Sequence, residues 1–206
     1  MDRYKKIERL TDNRFLNLYH MDAVTRSGST FDYYFASRNP KERLKAITHE
    51  NRPEGIAIYA LCKENPGQIV MIRQFRYPLN DYMYEIPAGL VDPGETPEQS
   101  AIREMKEETG LTLEIYEGGD VCFRRPFFMA QGLTDESSTM VYGYASGEIS
   151  SLWQEASEDI EVCFVDRKQA RAILGSERVS VRAAYMLMQF LHAKDEEPFA
   201  FLNQIK

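Results

Sequence analysis

The stretch Gly89–Leu111 reads GLVDPGETPEQSAIREMKEETGL. Its middle carries every local sign of a helix. Thr96 can act as N-cap, Pro97 falls at the first helical position, and Gln99 at the third completes a capping box. Ala101, Ile102, Met105 and Thr109 recur at helical spacing and predict one buried stripe. Gly110 suits the left-handed conformation that stops a helix. The helix is therefore expected over residues 97 to 109.

The charges on this helix are poorly placed for stability. Glu104, Glu107 and Glu108 are three and four residues apart, so they share a face and repel. They also lie in the C-terminal half, where the helix dipole disfavours anions. Each effect costs only a few tenths of a kcal/mol, roughly, but all act in the same direction. Arg103 and Lys106 are expected to project away from the acidic face and to offset little. A solvated acidic surface is one reading of the cluster. The other is a cation site, since three clustered carboxylates offer hard oxygen donors suited to Mg2+ or Mn2+.

Around this motif the chain has 206 residues, 43% hydrophobic and 28% charged, the composition of an ordinary globular protein able to bury a sizeable core. The net charge of −7 and the lack of a long basic run argue against a nucleic-acid surface. A site for an anionic substrate must then take its positive charge from metal ions or from a few arginines. Cys62, Cys122 and Cys163 are scattered and odd in number, as suits free thiols in a reducing compartment. The N-terminus, MDRYKKIERLTDNRF, is basic but has no apolar core of a signal peptide, and no apolar run approaches a membrane span. The expected location is cytoplasmic.

Outward from the motif, GIAIYALC and QIVMIRQFRY read as strands joined by the turn KENPG. YEIPAGLV is an extended approach to the helix. LTLEIY, DVCFRRPFFM, STMVYGYASGEI and EVCFV read as further strands. DRKQARAIL is a helix capped by Asp166 with Gln169 and ended by Gly175. VSVRAAYMLMQFLHAK is the last helix, with Val181, Tyr185, Met188 and Leu191 as its core stripe. Near the N-terminus, FLNLYHMDAVTRSGSTFDYYFASR forms two strands about an SGS turn. NPKERLKAITHENRPE is a polar connector. Strands outnumber helices and are often adjacent, so the chain is expected to be α/β of the α+β type with a mixed sheet.

The 23-residue stretch resembles the Nudix box of the Nudix hydrolases. Gly89, Glu95, Arg103, Glu104, Glu107, Glu108 and Gly110 fill its fixed positions, and Met105 and Leu111 its aliphatic ones. QFRYPLN, YEIPAGLVDPGE, GLTDES and EDIEVCFV extend the resemblance to the ADP-ribose pyrophosphatase branch. The resemblance implies a mixed sheet sandwiched between helices, with a small N-terminal antiparallel sheet. It implies an N-terminal subdomain and connector over residues 1–50, used for homodimerisation, and a hydrolase domain over 51–206. The activity implied is Mg2+-dependent cleavage of a nucleoside diphosphate sugar, with two or more ions per site and Mn2+ as a possible substitute.

Residue by residue, the resemblance makes Glu104 and Glu108 the main metal ligands and Glu107 a third. The main-chain carbonyl of Ala88 would add a ligand. Arg103 would orient a glutamate, and Glu95 would hold the box loop. Arg76 would bind phosphate. The general base would come from the loop SSLWQEASEDI, where Glu158 matches an additional metal ligand and Glu155 lies near the catalytic glutamate. An offset of one residue leaves those two roles exchangeable. Glu136 in GLTDES would contact substrate. ADP-ribose, cleaved to AMP and ribose 5-phosphate, is the expected substrate. GDP-mannose, UDP-glucose and a non-catalytic ligand-sensing domain are the alternatives. No nucleic acid or membrane partner is expected.

Overall fold

The structure, a computed structural model, describes residues 2–203. In chain order its elements are β1 (Tyr4–Arg9), β2 (Asn17–Val24), β3 (Thr30–Ser37), α1 (Lys45–Thr48), β4 (Gly55–Cys62), β5 (Gln68–Arg76), β6 (Asp81–Glu85), β7 (Ala88–Leu90), α2 (Pro97–Thr109), β8 (Thr112–Ile115), β9 (Phe127–Phe128), β10 (Ser137–Ser146), β11 (Ile160–Asp166), α3 (Arg167–Ser176) and α4 (Val181–His192). They fall into two compact units. One is Met1–Glu54 with Pro126–Ser138, and the other is Gly55–Arg125 with Thr139–Lys206.

The first unit is built on an antiparallel sheet in the order β1-β2-β3. β1 escaped the reading of the sequence because YKKIER is almost wholly polar, and Ile7 is its one buried residue. Ile7, Tyr19, Phe35 and Leu44 form the core here. The connector is not featureless, since it holds a 3-10 turn at Lys41–Arg43 and the single turn α1. Lys45, half-buried, donates to Glu54 at 2.6 Å and to the Ser137 hydroxyl at 2.5 Å. The second stretch of this unit is also tied to β3, where the Ala36 and Leu133 backbones meet at 2.8 Å and the Tyr33 hydroxyl donates to the Gly132 carbonyl at 2.8 Å.

DVCFRRPFFM is not the continuous strand expected. Asp120 caps a 3-10 turn at Val121–Arg124, and only Phe127–Phe128 pair, with Ser138 and Ser137. Pro126 cannot donate to a ladder, and the Asp120 side chain offers the Cys122 N–H a local partner that competes with strand formation.

The second unit is a mixed sheet in the order β11-β5-β4-β10-β8, with β6 beside β5 and β7 beside β4. β4 is buried along its whole length, which is why GIAIYALC is an unbroken apolar run. Its side chains alternate between two cores. Ile56, Ile58 and Ala60 join Ala101 and Met105 of α2, while Ala57, Tyr59 and Leu61 join Ala170 and Ile173 of α3 and Ala183, Leu187 and Phe190 of α4. The sheet is thus sandwiched between helices. β4 and β5 pair near their hairpin at Leu61 and Ile69. Farther along, β5 pairs with β6 over Ile72–Arg76, and β4 with β7 over Gly55–Ala57. The segment Ile86–Gly89 lies at this exchange of partners.

Two expectations about helix faces are corrected. In α4 the buried stripe is Ala183, Leu187 and Phe190, whereas Val181, Tyr185 and Met188 are exposed. This helix is apolar on most sides, so periodicity alone offers two stripes of equal spacing. The one containing small Ala183 allows the closer approach. In α2, Ile102 is exposed, and Ser100 and Glu108 are buried alongside Ala101, Met105 and Thr109. α3 runs through Gly175 to Ser176.

Candidate active site

α2 forms as its caps dictate. The Thr96 hydroxyl accepts from the Gln99 N–H, the Gln99 carboxamide accepts from the Thr96 N–H, and Gly110 takes a φ of 77°. With Ala101, Met105 and Thr109 in the core, the face bearing Glu104 and Glu108 turns toward β7. Glu108 is only 3% exposed, and its carboxylate accepts from the Ala88 N–H at 3.1 Å. Burial, and then the charge of Glu104, push its carboxyl well above the usual range. Burial also raises Glu104, against the pull of Arg103. The Glu104 carboxylate lies over Gly89, where a Cβ would overlap it.

Arg103 does not project away from the acidic face. Its guanidinium donates to Glu104 at 2.8 Å, to Glu107 at 2.9 Å, to Glu95 at 3.0 Å and to the Leu90 carbonyl at 3.0 Å. A long arginine stem lets the planar fork reach round the helix to carboxylates before and after it, which spacing on a helical wheel does not capture. Arg103 and the Ser100 hydroxyl hold the Glu95 carboxyl down at about 2. The three surrounding glutamates raise Arg103 further above its ordinary value. Lys106 does point elsewhere, donating to the Gly110 carbonyl at 2.7 Å.

Arg76, at the end of β5, donates through Nε to Glu85 at 2.5 Å. Burial opposes its charge, and the hydrogen bond and charge of Glu85 outweigh that, so Arg76 is held protonated. Glu85 is 4% exposed and went unnoticed in the sequence, where YEIPAG reads simply as strand. Its only signal was an acidic residue on a strand bounded by apolar Ile86.

The loop between β10 and β11 divides the two remaining glutamates. Glu158 is half-buried, and its charge acts on Glu104, Glu108 and Arg76. Glu155 is exposed, with Ser157 beside its carboxylate at 3.5 Å. The structure therefore brings Arg76, Ala88, Glu95, Arg103, Glu104, Glu107, Glu108 and Glu158 into one neighbourhood, with Glu85 as an addition. Glu136 belongs to the first unit, where Arg38 stands 3.5 Å from it.

A NUDIX domain model matches residues 51–187. The chain belongs to the NUDIX domain family, as a hydrolase. It is 33% identical over 177 residues to an ADP-ribose pyrophosphatase of Bacillus subtilis (strain 168), across 82% of this chain and 89% of that one. It is 36% identical over 161 residues to a methanol dehydrogenase activator of Bacillus methanolicus, across 78% and 74% of the two chains. A solved structure described as an ADP compounds hydrolase shares the fold, with a TM-score of 0.68 at 19% identity over 92% of this chain and 93% of that one.

One other grouping bears on metals in this Nudix protein. Among the described residues, His20, Asp22 and Asp32 place ligand atoms within 4.8 Å of one another, on the sheet of the first unit. Asp22 and Asp32 oppose each other across β2 and β3, and His20 Nε2 stands 2.8 Å from Asp32 and 3.7 Å from Asp22. The imidazole thus lies between two carboxylates that face each other across the strand pair. The box carboxylates have a different arrangement, drawn around Arg103 and the Ala88–Gly89 backbone.

Proposed function

We propose that this protein hydrolyses the diphosphate of a nucleoside diphosphate sugar, ADP-ribose to AMP and ribose 5-phosphate, with Mg2+ held by the box. The observation that carries this is the buried Glu108 carboxylate, held by a single backbone N–H and placed beside Glu104 over a glycine. Its donors are hard oxygens, and burial without a full cationic partner suits a divalent ion. Glu104, Glu108 and the Ala88 carbonyl would hold the metals, with Glu107 and Glu158 completing the set. Bound there, Mg2+ would polarise phosphoryl oxygens and offset charge on an in-line transition state.

The chain's own residues do the rest. Arg76, fixed by Glu85, presents a guanidinium to one phosphate. Arg103 and Glu95 hold the loop preceding α2 and orient Glu104. A loop glutamate takes a proton from the attacking water, whose oxygen bonds to one phosphorus as the bridging P–O bond breaks and the second phosphate leaves. Glu155 is our choice of base, with Glu158 on the metal side. The coupling of Glu158 to both Glu104 and Glu108 supports that division. Glu136 is proposed to contact substrate, and the N-terminal sheet to mediate a homodimer.

The likeness to the Bacillus subtilis ADP-ribose pyrophosphatase supports ADP-ribose as substrate, and the test is a panel of nucleoside diphosphate derivatives with Mg2+. AMP and ribose 5-phosphate should appear, and EDTA should abolish turnover until Mg2+ or Mn2+ is restored. Preference for GDP-mannose or UDP-glucose by about ten-fold in kcat/KM, roughly 1.4 kcal/mol in the transition state, would overturn the substrate but keep the hydrolase. Binding without turnover of any compound would make this a ligand-sensing domain.

A further inference from the structure

The last turn of α2 leaves carbonyls with no donor inside the helix. The loop between β10 and β11 supplies two. The Ser150 N–H donates to the Thr109 carbonyl at 3.0 Å. Gln154 Nε2 donates to the Glu108 carbonyl at 2.7 Å and reaches the Ile160 carbonyl at 3.4 Å. Both partners of this carboxamide are acceptors, so its NH2 end must face them. One side chain thus ties the middle of the loop to the backbone of Glu108 and to the first residue of β11.

Glu155 follows at once. From there the chain makes a closed turn, in which the Glu155 N–H donates to the Glu158 carboxylate at 3.0 Å and the Glu158 N–H to the Glu155 carbonyl at 2.9 Å. Beyond the turn, the Asp159 carbonyl accepts from the Phe75 N–H at 3.0 Å. Packing does little to hold the other side, since Leu152 and Trp153 are 76% and 56% exposed. The fixed point nearest the two glutamates on their N-terminal side is Gln154.

We infer that Gln154 is a positioning residue, whose carboxamide clamps the loop to the C-terminal end of α2 and so sets where Glu155 and Glu158 stand relative to Glu104 and Glu108. Its effect on turnover rests on the proposed hydrolytic reading, whereas the clamp itself does not.

The test compares Gln154→Ala, Gln154→Glu and Gln154→Lys with wild type. Gln154→Glu keeps the length but sets a carboxylate against two carbonyls, and Gln154→Lys returns a donor. In the first two, kcat should fall about ten- to hundred-fold with substrate KM changed by less than about two-fold. Gln154→Lys should recover part of the loss. Trp153 is the only tryptophan in the chain and gives a readout independent of activity. Its fluorescence anisotropy should fall, and its quenching by acrylamide rise, in Gln154→Ala and Gln154→Glu, while the circular-dichroism melting curve stays near wild type. Unchanged kcat in both variants overturns the positioning role, and unchanged Trp153 anisotropy overturns the clamp. Glu155→Gln and Glu158→Gln are assayed alongside. If both turn over normally, the loop-base reading is what has failed, and Gln154 is judged on Trp153 alone. Should Gln154→Ala misfold, the isosteric Gln154→Glu decides.

Discussion

Gly89 has no side chain where the Glu104 carboxylate lies, and an added Cβ would occupy the space of that carboxylate. The glycine is thus a condition for the placement of a candidate metal ligand, and its φ is not in the left-handed region. Gly89→Ala should fold, yet shift Glu104. The expected outcome is a raised Mg2+ requirement and a loss of turnover of about ten-fold or more. A Mg2+ titration of initial rate checks this, and a wild-type activation curve would show that Glu104 adapts at no cost.

Glu108 sets stability against its proposed role as a metal ligand. Its folded carboxyl is raised by burial above the ordinary 4.5, so the charged form is disfavoured in the fold. That penalty is absent below about pH 4.5 and grows as pH rises from there toward the folded value. In EDTA, Glu108→Gln should therefore be more stable than wild type at pH 8, with the difference shrinking toward pH 4.5, although turnover with Mg2+ is lost. Urea denaturation across this range measures it. A Glu108→Gln protein less stable than wild type at pH 8 would mean that the bond to the Ala88 N–H outweighs burial.

Glu95 behaves with the opposite sign. Arg103 and Ser100 depress its carboxyl from 4.5 to about 2, so its contribution is complete above pH 4.5 and is lost as pH falls through 2. Glu95→Gln should be less stable than wild type at pH 6, and the gap should close between pH 4.5 and 2. A gap independent of pH would show that the loss comes from packing of the box loop and not from the ion pair.

The two loop glutamates should separate in kinetics. Glu155→Gln, if Glu155 is the base, should lower kcat by roughly two to four orders of magnitude while leaving the Mg2+ requirement alone. Glu158→Gln should raise that requirement, because Glu158 shares its field with Glu104 and Glu108. A fully active Glu155→Gln with an inactive Glu158→Gln of normal Mg2+ affinity reverses the assignment.

The helix of the box was legible residue by residue because Thr96, Pro97, Gln99 and Gly110 act locally, through bonds that span at most a few residues. β4 was legible because burial on both faces leaves no room for a polar residue. What escaped the sequence depends on distant partners. Ile7 anchors a strand in which Tyr4 is the one other apolar side chain. The stripe that α4 buries is chosen by close approach at Ala183, not by period. Arg103 could be placed on α2 but not aimed, since its direction is set by Glu95 eight residues earlier. Glu85 was silent because its partner, Arg76, lies on another strand. The difference in exposure between Glu155 and Glu158 depends on the turn joining them, which the sequence does not display.

The first unit is assembled from two separated stretches, and Lys45, Glu54 and Ser137 are among the residues that join them. On a ribosome the N-terminal unit must therefore wait for its second stretch. The sheet β1-β2-β3 emerges first and whole, but the Leu133 carbonyl that meets β3 and the Ser137 hydroxyl that joins the Lys45 pair are synthesised more than eighty residues later. During that interval the Lys45–Glu54 pair, with Asn39 donating to Glu54, lacks the Ser137 hydroxyl, and the Ala36 N–H has no Leu133 carbonyl to meet. A chain cut at the boundary after Glu54 would divide the first unit, leaving 126–138 without the strand β3 to which Leu133 is tied. Translation order and tertiary order differ in this protein: the N-terminal unit begins first but is complete only at Ser138, after the whole of 55–125 has been made.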